Sequence, residues 1–337
     1  MELDPRKLVV VTGAGGFIGG HLVAELKRRG HERVRAVDIK PLGRWYQEHG
    51  GVENASADLR EKEACYSASD EATYVFNLAA DMGGMGFIET HKADCMVSVL
   101  INSNMMLAAR DLGVEHFLFG SSACVYNAER QSDPNVTALK ESDAYPALPE
   151  DGYGWEKLFS ERMCRHFMED YGISVCVPRF HNVYGPNGTY DGGREKAPAA
   201  ICRKVIQAQL DESGTIEIWG DGLQTRSFTY IDDTISGVLQ LMEREVTEPI
   251  NLGSSQLVTI NHLVDIVEEI AGIKLERTYR LDAPQGVRGR NSDNALILEK
   301  LGWEPSTSLE DGLERTYDWI HEQMTSGVRD QAAAIFT

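Results

Sequence analysis

Residues 9–19 read VVVTGAGGFIG, so that a short apolar run passes directly into a cluster of glycines. A continuous apolar run is typical of a buried parallel strand, and the pattern of Phe17–Arg29 after the glycines is helical. Glycines at such a junction allow a tight turn, close approach of the backbone to a pyrophosphate and close packing of the helix on the strand. Free N–H groups at the start of the helix favour a bound phosphate. The segment therefore predicts a strand, a phosphate-binding turn and a helix.

An acidic residue marks the end of the next apolar run, Val34–Val37. Asp38 follows the glycine cluster by about 20 residues, the spacing at which a carboxylate accepts hydrogen bonds from the adenosine ribose of a dinucleotide. Its charge would repel a 2′-phosphate, which favours NAD over NADP. The neighbouring cation of Lys40 keeps NADP as an alternative cofactor. The alternative is a flexible glycine loop with an incidental acid. Under the first interpretation, the residues expected to contact NAD are Gly13, Gly16, Phe17, Ile18, Gly19, Asp38, Asp58, Leu59, Ala79, Tyr153 and Lys157.

Short apolar runs alternate with helical patterns through the first half of the chain, which is the rhythm of parallel βαβ units. We expect an α/β fold with a Rossmann-type, doubly wound parallel sheet over residues 1–180. After the glycine-rich segment 181–196 this regularity is lost. Residues 181–325 are predicted to form a smaller, interleaved α/β subdomain that binds substrate. The sequence leaves open whether segments near 227–255 return to the first domain. Residues 326–337 are expected to form a loose tail.

The composition limits the classes of partner. The 337 residues carry a net charge of −19, which argues against nucleic acid and anionic membranes, because both bind clustered Lys and Arg. A phosphorylated ligand would therefore need backbone amides and a few local cations. The six cysteines are scattered without metal-ligand spacing, so no metal is expected. No apolar run approaches the roughly 18 residues that span a bilayer, and a reduced, cytoplasmic location is expected.

Tyr153 and Lys157 lie four residues apart in a helical segment, so their side chains leave the same face of the helix. An ammonium group beside a phenol is expected to lower the phenol pKa from about 10 toward neutrality and so to yield a general base. Two surface residues of a helix would give the same pattern. The segment 120–126, GSSACVY, ends a predicted strand and adds Ser122, which we expect to hydrogen-bond the same substrate hydroxyl.

These features together resemble the extended short-chain dehydrogenase/reductase family of nucleotide-sugar enzymes, and the resemblance covers nearly the whole chain. Two further segments of the family's type are 179–186, RFHNVYGP, and 226–233, RSFTYIDD. The resemblance implies that a hydride passes from a sugar carbon to NAD before the resulting ketone reacts further. It also implies that Asn182 and Arg226 face the sugar and the diphosphate.

Five segments resemble the GDP-mannose 3,5-epimerase group of this family more narrowly. They are 81–87 (DMGGMGF), 121–124 (SSAC), 192–200 (GGREKAPAA), 219–226 (WGDGLQTR) and 286–294 (GVRGRNSDN). The resemblance implies GDP-mannose as substrate and Cys124 and Lys196 as the pair that moves protons, without assigning base and acid. Desolvation or neighbouring Arg194 is expected to keep Lys196 partly neutral. The implied substrate contacts are Gly83, Ser122, Cys124, Asn182, Glu195, Lys196, Lys204, Gln224, Arg226 and Arg288.

Several functions stay open at this point. Inversion at C3 and C5 would give GDP-L-galactose, and inversion at C5 alone would give GDP-L-gulose. A 4-epimerase or 4,6-dehydratase of another nucleotide sugar would be indifferent to the loss of Cys124 and Lys196, or would give a net dehydration product. A non-catalytic NAD-binding scaffold would not need Tyr153 and Lys157. Members of the family usually pair through two long helices, so the resemblance implies a homodimer through residues 92–112 and 152–171.

Overall fold

The computed structural model describes residues 2–326, so the predicted tail, 326–337, lies outside the described residues except for Ser326. The helices are α1 Phe17–Arg28, α2 Lys62–Ser69, α3 Met85–Thr90, α4 Lys92–Leu112, α5 Tyr153–Tyr171, α6 Ala197–Leu210, α7 Ile231–Glu243, α8 Ile260–Ala271, α9 Ala295–Leu301 and α10 Leu309–Thr325. The strands are β1 Leu8–Thr12, β2 Val34–Asp38, β3 Glu53–Ser56, β4 Ala72–Asn77, β5 His116–Phe119, β6 Ser121–Ser122, β7 Ser174–Cys176, β8 Pro178–Phe180, β9 Val183–Tyr184, β10 Thr215–Trp219, β11 Thr225–Ser227, β12 Thr229–Tyr230, β13 Ile250–Leu252, β14 Leu257–Thr259, β15 Glu276–Arg280 and β16 Gly289–Arg290.

A six-stranded parallel sheet with the order β3-β2-β1-β4-β5-β7 forms the centre of the molecule. All five residues of β1 are buried, as the apolar run predicted. Helices cover both faces of the sheet: α2, α4 and α5 pack in sequence on one face, and α1 packs with α7 on the other. The predicted Rossmann-type, doubly wound fold is therefore confirmed. The strand order reverses between β1 and β4, which is where such sheets bind their ligands.

The second half of the chain forms smaller sheets around this centre. β13 pairs with β8, and β8 pairs with β6, which directly follows β5. Within the segment near 227–255, α7 thus packs on α1, and β13 pairs with β8. β11 lies between β14 and β16, and α6 packs with α8 and α10. The division at residue 180 stays a prediction.

Local signals explain where several helices begin and end. The hydroxyls of Thr259 and Ser308 accept hydrogen bonds from backbone N–H groups in the first turns of α8 and α10. Such N-caps satisfy donors that the helix itself leaves unpaired. Gly113 and Gly172 end α4 and α5 with φ of 73° and 74°, a conformation that glycine adopts without strain.

A buried ion pair fixes the strand end that leads into the candidate site. The guanidinium of Arg179 on β8 donates to both carboxylate oxygens of Glu161 on α5, at 2.9 and 2.7 Å. The hydroxyl of Ser121 donates to the same carboxylate at 2.5 Å. A paired, bidentate geometry of this kind is what a buried charge requires. It ties β6, β8 and α5 together and so positions the residues that follow Ser121.

Within residues 2–326, no helix is both long enough and apolar enough to cross a bilayer.

Candidate active site at the carboxyl edge of the sheet

Two cavities meet at the carboxyl edge of the central sheet. The first, of about 630 Å³, runs from the turn between β1 and α1 to α5, and the second, of about 430 Å³, lies between α6, β11 and the segment 82–86. Ser122, Tyr153 and Lys196 line both cavities. A ligand in either cavity therefore reaches the same group of side chains.

The turn between β1 and α1 is closely packed because its glycines have no Cβ. Gly13 has φ of 68°, and a Cβ there would lie 3.0 Å from the backbone of Leu78 and Ala79. A Cβ on Gly19 would overlap the carbonyl group of Gly13. Helix α1 has no acidic residue in its first turn and no side-chain cap, so its N-terminal N–H groups are free for an anion. This arrangement fits the pyrophosphate of a dinucleotide.

The predicted adenosine contacts also line the first cavity. Asp38 is buried at the end of β2, where it accepts a hydrogen bond from the backbone N–H of Lys40 at 2.9 Å. The ammonium of Lys40 donates to the carbonyl oxygen of Gly15 at 3.1 Å. Arg60 holds the pKa of the Asp58 carboxyl below its usual range. All the residues predicted to contact NAD line this cavity: Gly13, Gly16, Phe17, Ile18, Gly19, Asp38, Asp58, Leu59, Ala79, Tyr153 and Lys157.

The expected lowering of the Tyr153 pKa was wrong for this chain. Burial, Cys124 and Glu156 raise the pKa of the Tyr153 phenol well above its usual value, and a hydrogen bond with Ser122 opposes them only in part. The ammonium of Lys157 lies 3.6 Å from a carboxylate oxygen of Glu156 and 5.5 Å from the centre of the Tyr153 ring. Because Glu156 neutralises it, Lys157 does little to favour the phenolate.

Cys124 and Lys196 reach the second cavity from different elements, and Lys196 also lines the first. Cys124 is buried in the short turn after β6, and Lys196 is the half-buried residue directly before α6. Burial and then Glu150 raise the pKa of the Cys124 thiol to about 11. Burial, assisted by Arg290, lowers the pKa of the Lys196 ammonium. Both shifts favour the uncharged forms, a thiol and an amine.

The cation beside Lys196 is not the one that the sequence suggested. Arg194 instead stacks on the ring of Phe87 at 3.6 Å and pairs with Asp81 at 2.5 Å, joining the segments 81–87 and 192–196 over the cavities. Arg290 contributes the positive charge near Lys196.

Most of the predicted substrate contacts line the second cavity. They are Gly83, Ser122, Cys124, Asn182, Glu195, Lys196, Lys204, Gln224 and Arg226. Arg226 is buried and donates to the carbonyl oxygen of Gln285 at 3.1 Å. Burial lowers its pKa to about 10, which leaves it charged at neutral pH. The Oε1 atom of Gln224 is buried without a hydrogen-bond partner among the described residues, so it is available to a ligand.

Arg290, not Arg288, lines the second cavity. Arg288 does not line this cavity, and its guanidinium pairs with Asp221 at 3.0 Å. Arg290 lies on β16 directly opposite Arg226 on β11. Both arginines belong to the same motif, GVRGRNSDN, and nothing in the sequence separates them. The pairing of β16 with β11 decides which of the two lines the cavity.

A model of the NAD dependent epimerase/dehydratase family matches residues 9–253 of this chain. The chain belongs to this family. GDP-mannose 3,5-epimerase 1 of Oryza sativa subsp. indica is 48% identical to it over 317 residues, which cover 94% of this chain and 82% of the rice protein. GDP-mannose 3,5-epimerase of Arabidopsis thaliana is 47% identical over 317 residues, with the same coverage of both chains. The solved structure of MoeE5 in complex with UDP-glucose and NAD is 30% identical, with a TM-score of 0.78, and the match covers 94% of this chain and 100% of that one.

Family membership identifies the protein as an NAD-dependent enzyme of the isomerase class. The glycine turn and the buried Asp38 accommodate the cofactor in the first cavity. The second cavity is then the candidate substrate site, and the residues shared by both cavities lie where cofactor and substrate would meet.

Proposed function

We propose that this protein epimerises GDP-mannose at C3 and C5 by transient oxidation at C4, giving GDP-L-galactose, with GDP-L-gulose as the product of inversion at C5 alone. The observation that carries the proposal is that a thiol and an amine, Cys124 and Lys196, line the second cavity together with Tyr153, while Lys196 and Tyr153 also line the first. A 4-epimerase has no use for this pair. The two plant relatives that are 47–48% identical bear the name of this activity.

Tyr153 is the proposed acceptor of the C4 hydroxyl proton. When bound, NAD would supply a reversible acceptor for the C4 hydride. Ser122 faces both cavities and supports the same hydroxyl by a hydrogen bond. A ketone at C4 acidifies the hydrogens on C3 and C5, which the remaining residues then exchange. Tyr153 returns its proton when C4 is reduced again, so the reaction involves no net redox change.

The states of Lys196 and Cys124 assign their roles in this mechanism. The lowered pKa of Lys196 favours the neutral amine, which is the form that takes a proton from carbon. Cys124 has a raised pKa and holds a proton that it gives to the opposite face of the ring. Two residues are needed because inversion delivers the new proton to the face that was not deprotonated. We therefore assign Lys196 as the base and Cys124 as the acid.

The diphosphate of the substrate needs local cations in a chain whose net charge is −19. Arg226, Arg290 and Lys204 line the second cavity and are the proposed diphosphate-binding residues. The ammonium of Lys204 lies 5.8 Å from the centre of the Trp219 ring and 2.8 Å from the carbonyl oxygen of Glu217. Arg288 is left out of this set because it pairs with Asp221 outside the cavity.

Incubation with GDP-mannose in heavy water tests the proposed reaction. The purified holoenzyme, without added NAD, is expected to place deuterium at C3 and C5 of the sugar, as followed by NMR and mass spectrometry. Deuterium at C5 alone would identify GDP-L-gulose as the product. Recovery of unlabelled GDP-mannose, together with turnover of another nucleotide sugar, would instead identify a 4-epimerase or a 4,6-dehydratase and contradict the proposal.

We propose a homodimer formed by α4 and α5. These neighbouring helices expose large apolar side chains at helical spacing, including Met96 and Leu100 on α4 and Trp155 and Phe159 on α5. Exposed apolar surface of this kind is typical of an interface. Light scattering is expected to give the mass of a dimer for the native protein and of a monomer for the Leu100→Glu/Phe159→Glu variant. A monomeric native protein would refute the proposal.

The cytoplasmic location is also proposed, in line with six free cysteines, and cell fractionation tests it.

A further inference from the structure

Glu150 lies behind Cys124, in the segment that leads into α5. Its backbone N–H donates to the carbonyl oxygen of Cys124 at 3.0 Å. Its carboxylate accepts a hydrogen bond from Nη2 of Arg290, and Nη1 of the same guanidinium lies 3.6 Å from the sulfur of Cys124. Nε of Arg290 donates to Oε1 of Gln131 at 2.6 Å. A carboxylate, a guanidinium and a thiol thus form one buried cluster with a fixed geometry.

One oxygen of the Glu150 carboxylate takes no part in the ion pair with Arg290. Oε2 of Glu150 is buried and has no hydrogen-bond partner within the described part of the chain. A buried carboxylate oxygen without a partner is costly, and a purely structural ion pair would be expected to satisfy both oxygens. The Cys124 thiol lies within reach of this carboxylate. The carboxylate of Glu150 and the thiol of Cys124 therefore influence each other's charge, with Arg290 in contact with both.

The other charged groups that face Cys124 are cationic. They are Arg290 on β16, Arg226 on β11 and Lys196 before α6, and the uncharged groups are Ser122 and the Tyr153 phenol. Cations around a cysteine favour the thiolate and lower its pKa. Glu150 opposes them, and together with burial it raises the pKa of Cys124 to about 11. Arg290 keeps the Glu150 carboxyl ionised by holding its pKa below the usual value.

We propose that Glu150 is a positioning residue that fixes Arg290 beside Cys124 and balances its charge, so that Cys124 stays a thiol and serves as the proton donor. The inference rests on the proposed function only for the role of Cys124 as a proton donor. The protonation state that it assigns to Cys124 does not depend on any substrate.

The rate of alkylation of Cys124 tests this inference, because the thiolate is the form that reacts. Iodoacetamide is applied to the holoenzyme without substrate from pH 7 to 9.5, and peptide mass spectrometry reads the modification of Cys124. At pH 8 we expect Glu150→Gln to react at least tenfold faster than the native protein, since each unit of pKa lost raises the thiolate fraction about tenfold. Glu150→Asp, which keeps the charge, is expected to stay within about threefold of the native rate.

Two outcomes would overturn the inference. One is a Glu150→Gln rate within about threefold of the native rate, and the other is an equal acceleration in Glu150→Asp, which would show that loosened packing admits the reagent. If Glu150→Gln unfolds, as modification of all six cysteines would reveal, the pH dependence of the native protein is used instead. The rate of Cys124 modification is then expected to rise about tenfold with each pH unit from pH 7 to 9.5, because the pKa of the thiol lies at about 11. A rate that levels off below pH 9 would contradict the inference.

The same experiment separates this inference from the proposed function. If the native protein leaves GDP-mannose unlabelled but Glu150→Gln accelerates alkylation, the proposed function fails and the control of the thiol by Glu150 stands. If the native protein labels GDP-mannose and alkylation is insensitive to Glu150, only the inference fails. In the active enzyme, Glu150→Gln is expected to move the alkaline limb of the kcat/KM profile to lower pH, because the thiol donor is lost as pH rises through its pKa.

Discussion

Replacing Lys196 by Met is expected to abolish both the inversion of GDP-mannose and its uptake of deuterium, whereas replacing Cys124 by Ala is expected to abolish inversion alone. The difference follows from the assigned roles. Without its base, the enzyme removes no proton from carbon. Without the acid, Lys196 still removes a proton and returns a deuteron to the same face, so the recovered GDP-mannose is labelled without changing its configuration.

The expected losses are large because each residue acts directly on the reacting carbons. General acid–base groups contribute about 10²- to 10⁴-fold to rates, and we expect a fall in inversion of at least about 10³-fold for either variant. NMR of the sugar recovered from heavy water measures label and configuration separately. Lys204→Met is the matched control: Lys204 is also a half-buried lysine of the second cavity with a pKa lowered by burial. It is expected to raise KM while exchange continues at saturating substrate.

The opposite pattern would reverse the assignment. If Cys124→Ala loses all uptake of deuterium while Lys196→Met still labels GDP-mannose, Cys124 is the base and Lys196 the acid. If both variants epimerise GDP-mannose at the native rate, neither residue transfers protons and the proposed mechanism is wrong.

The sequence was sufficient for the fold because its signals are local. A continuous apolar strand, a glycine turn and an amphipathic helix occur within the segment 8–28, and the structure confirms them as β1, the turn and α1. Helix α4, Lys92–Leu112, has the bounds that the family resemblance implied for it, although its first turn is largely exposed and polar. The six-residue helix α3 was not predicted, since its glycine-rich segment, DMGGMGF, carries no helical pattern.

The electrostatics of the site depend on contacts that the sequence does not contain. Lys157 and Glu156 are adjacent in a helix, where neighbouring side chains do not ordinarily face each other, yet both are buried and only 3.6 Å separates their charges. Burial is the main cause of the raised pKa of Tyr153, and this contact withholds the charge of Lys157 that would have opposed it. Arg290 and Glu150 come from segments 140 residues apart. Only the folded chain brings them to Cys124, so the groups that decide the state of the thiol could not be predicted.

Replacing Tyr153 by Phe is expected to remove oxidation at C4 and, with it, every later step. The variant keeps the ring and loses only the oxygen that accepts the hydroxyl proton, so we expect kcat to fall about 10²- to 10⁴-fold. Uptake of deuterium at C3 and C5 falls with it, because those hydrogens are acidic only beside the ketone. Transient absorbance of the reduced nicotinamide distinguishes this variant from Lys196→Met, which still oxidises C4 and is expected to retain the transient.

The pH dependence of the native enzyme gives Tyr153 a second signature. Because the pKa of the phenol is raised well above its usual value, the fraction of phenolate grows about tenfold with each pH unit below that pKa. We expect kcat/KM of the native enzyme to rise between pH 7 and 9 and that of Tyr153→Phe to rise less steeply, since only Lys196 then gains its basic form as pH rises. Glu156→Gln releases the ammonium of Lys157, which then favours the phenolate and moves the rising limb to lower pH. Tyr126→Phe is the control, since it removes a buried phenol that donates to Asn251 outside both cavities.

A Tyr153→Phe variant that keeps the native slope of kcat/KM against pH would show that another group accepts the C4 hydroxyl proton.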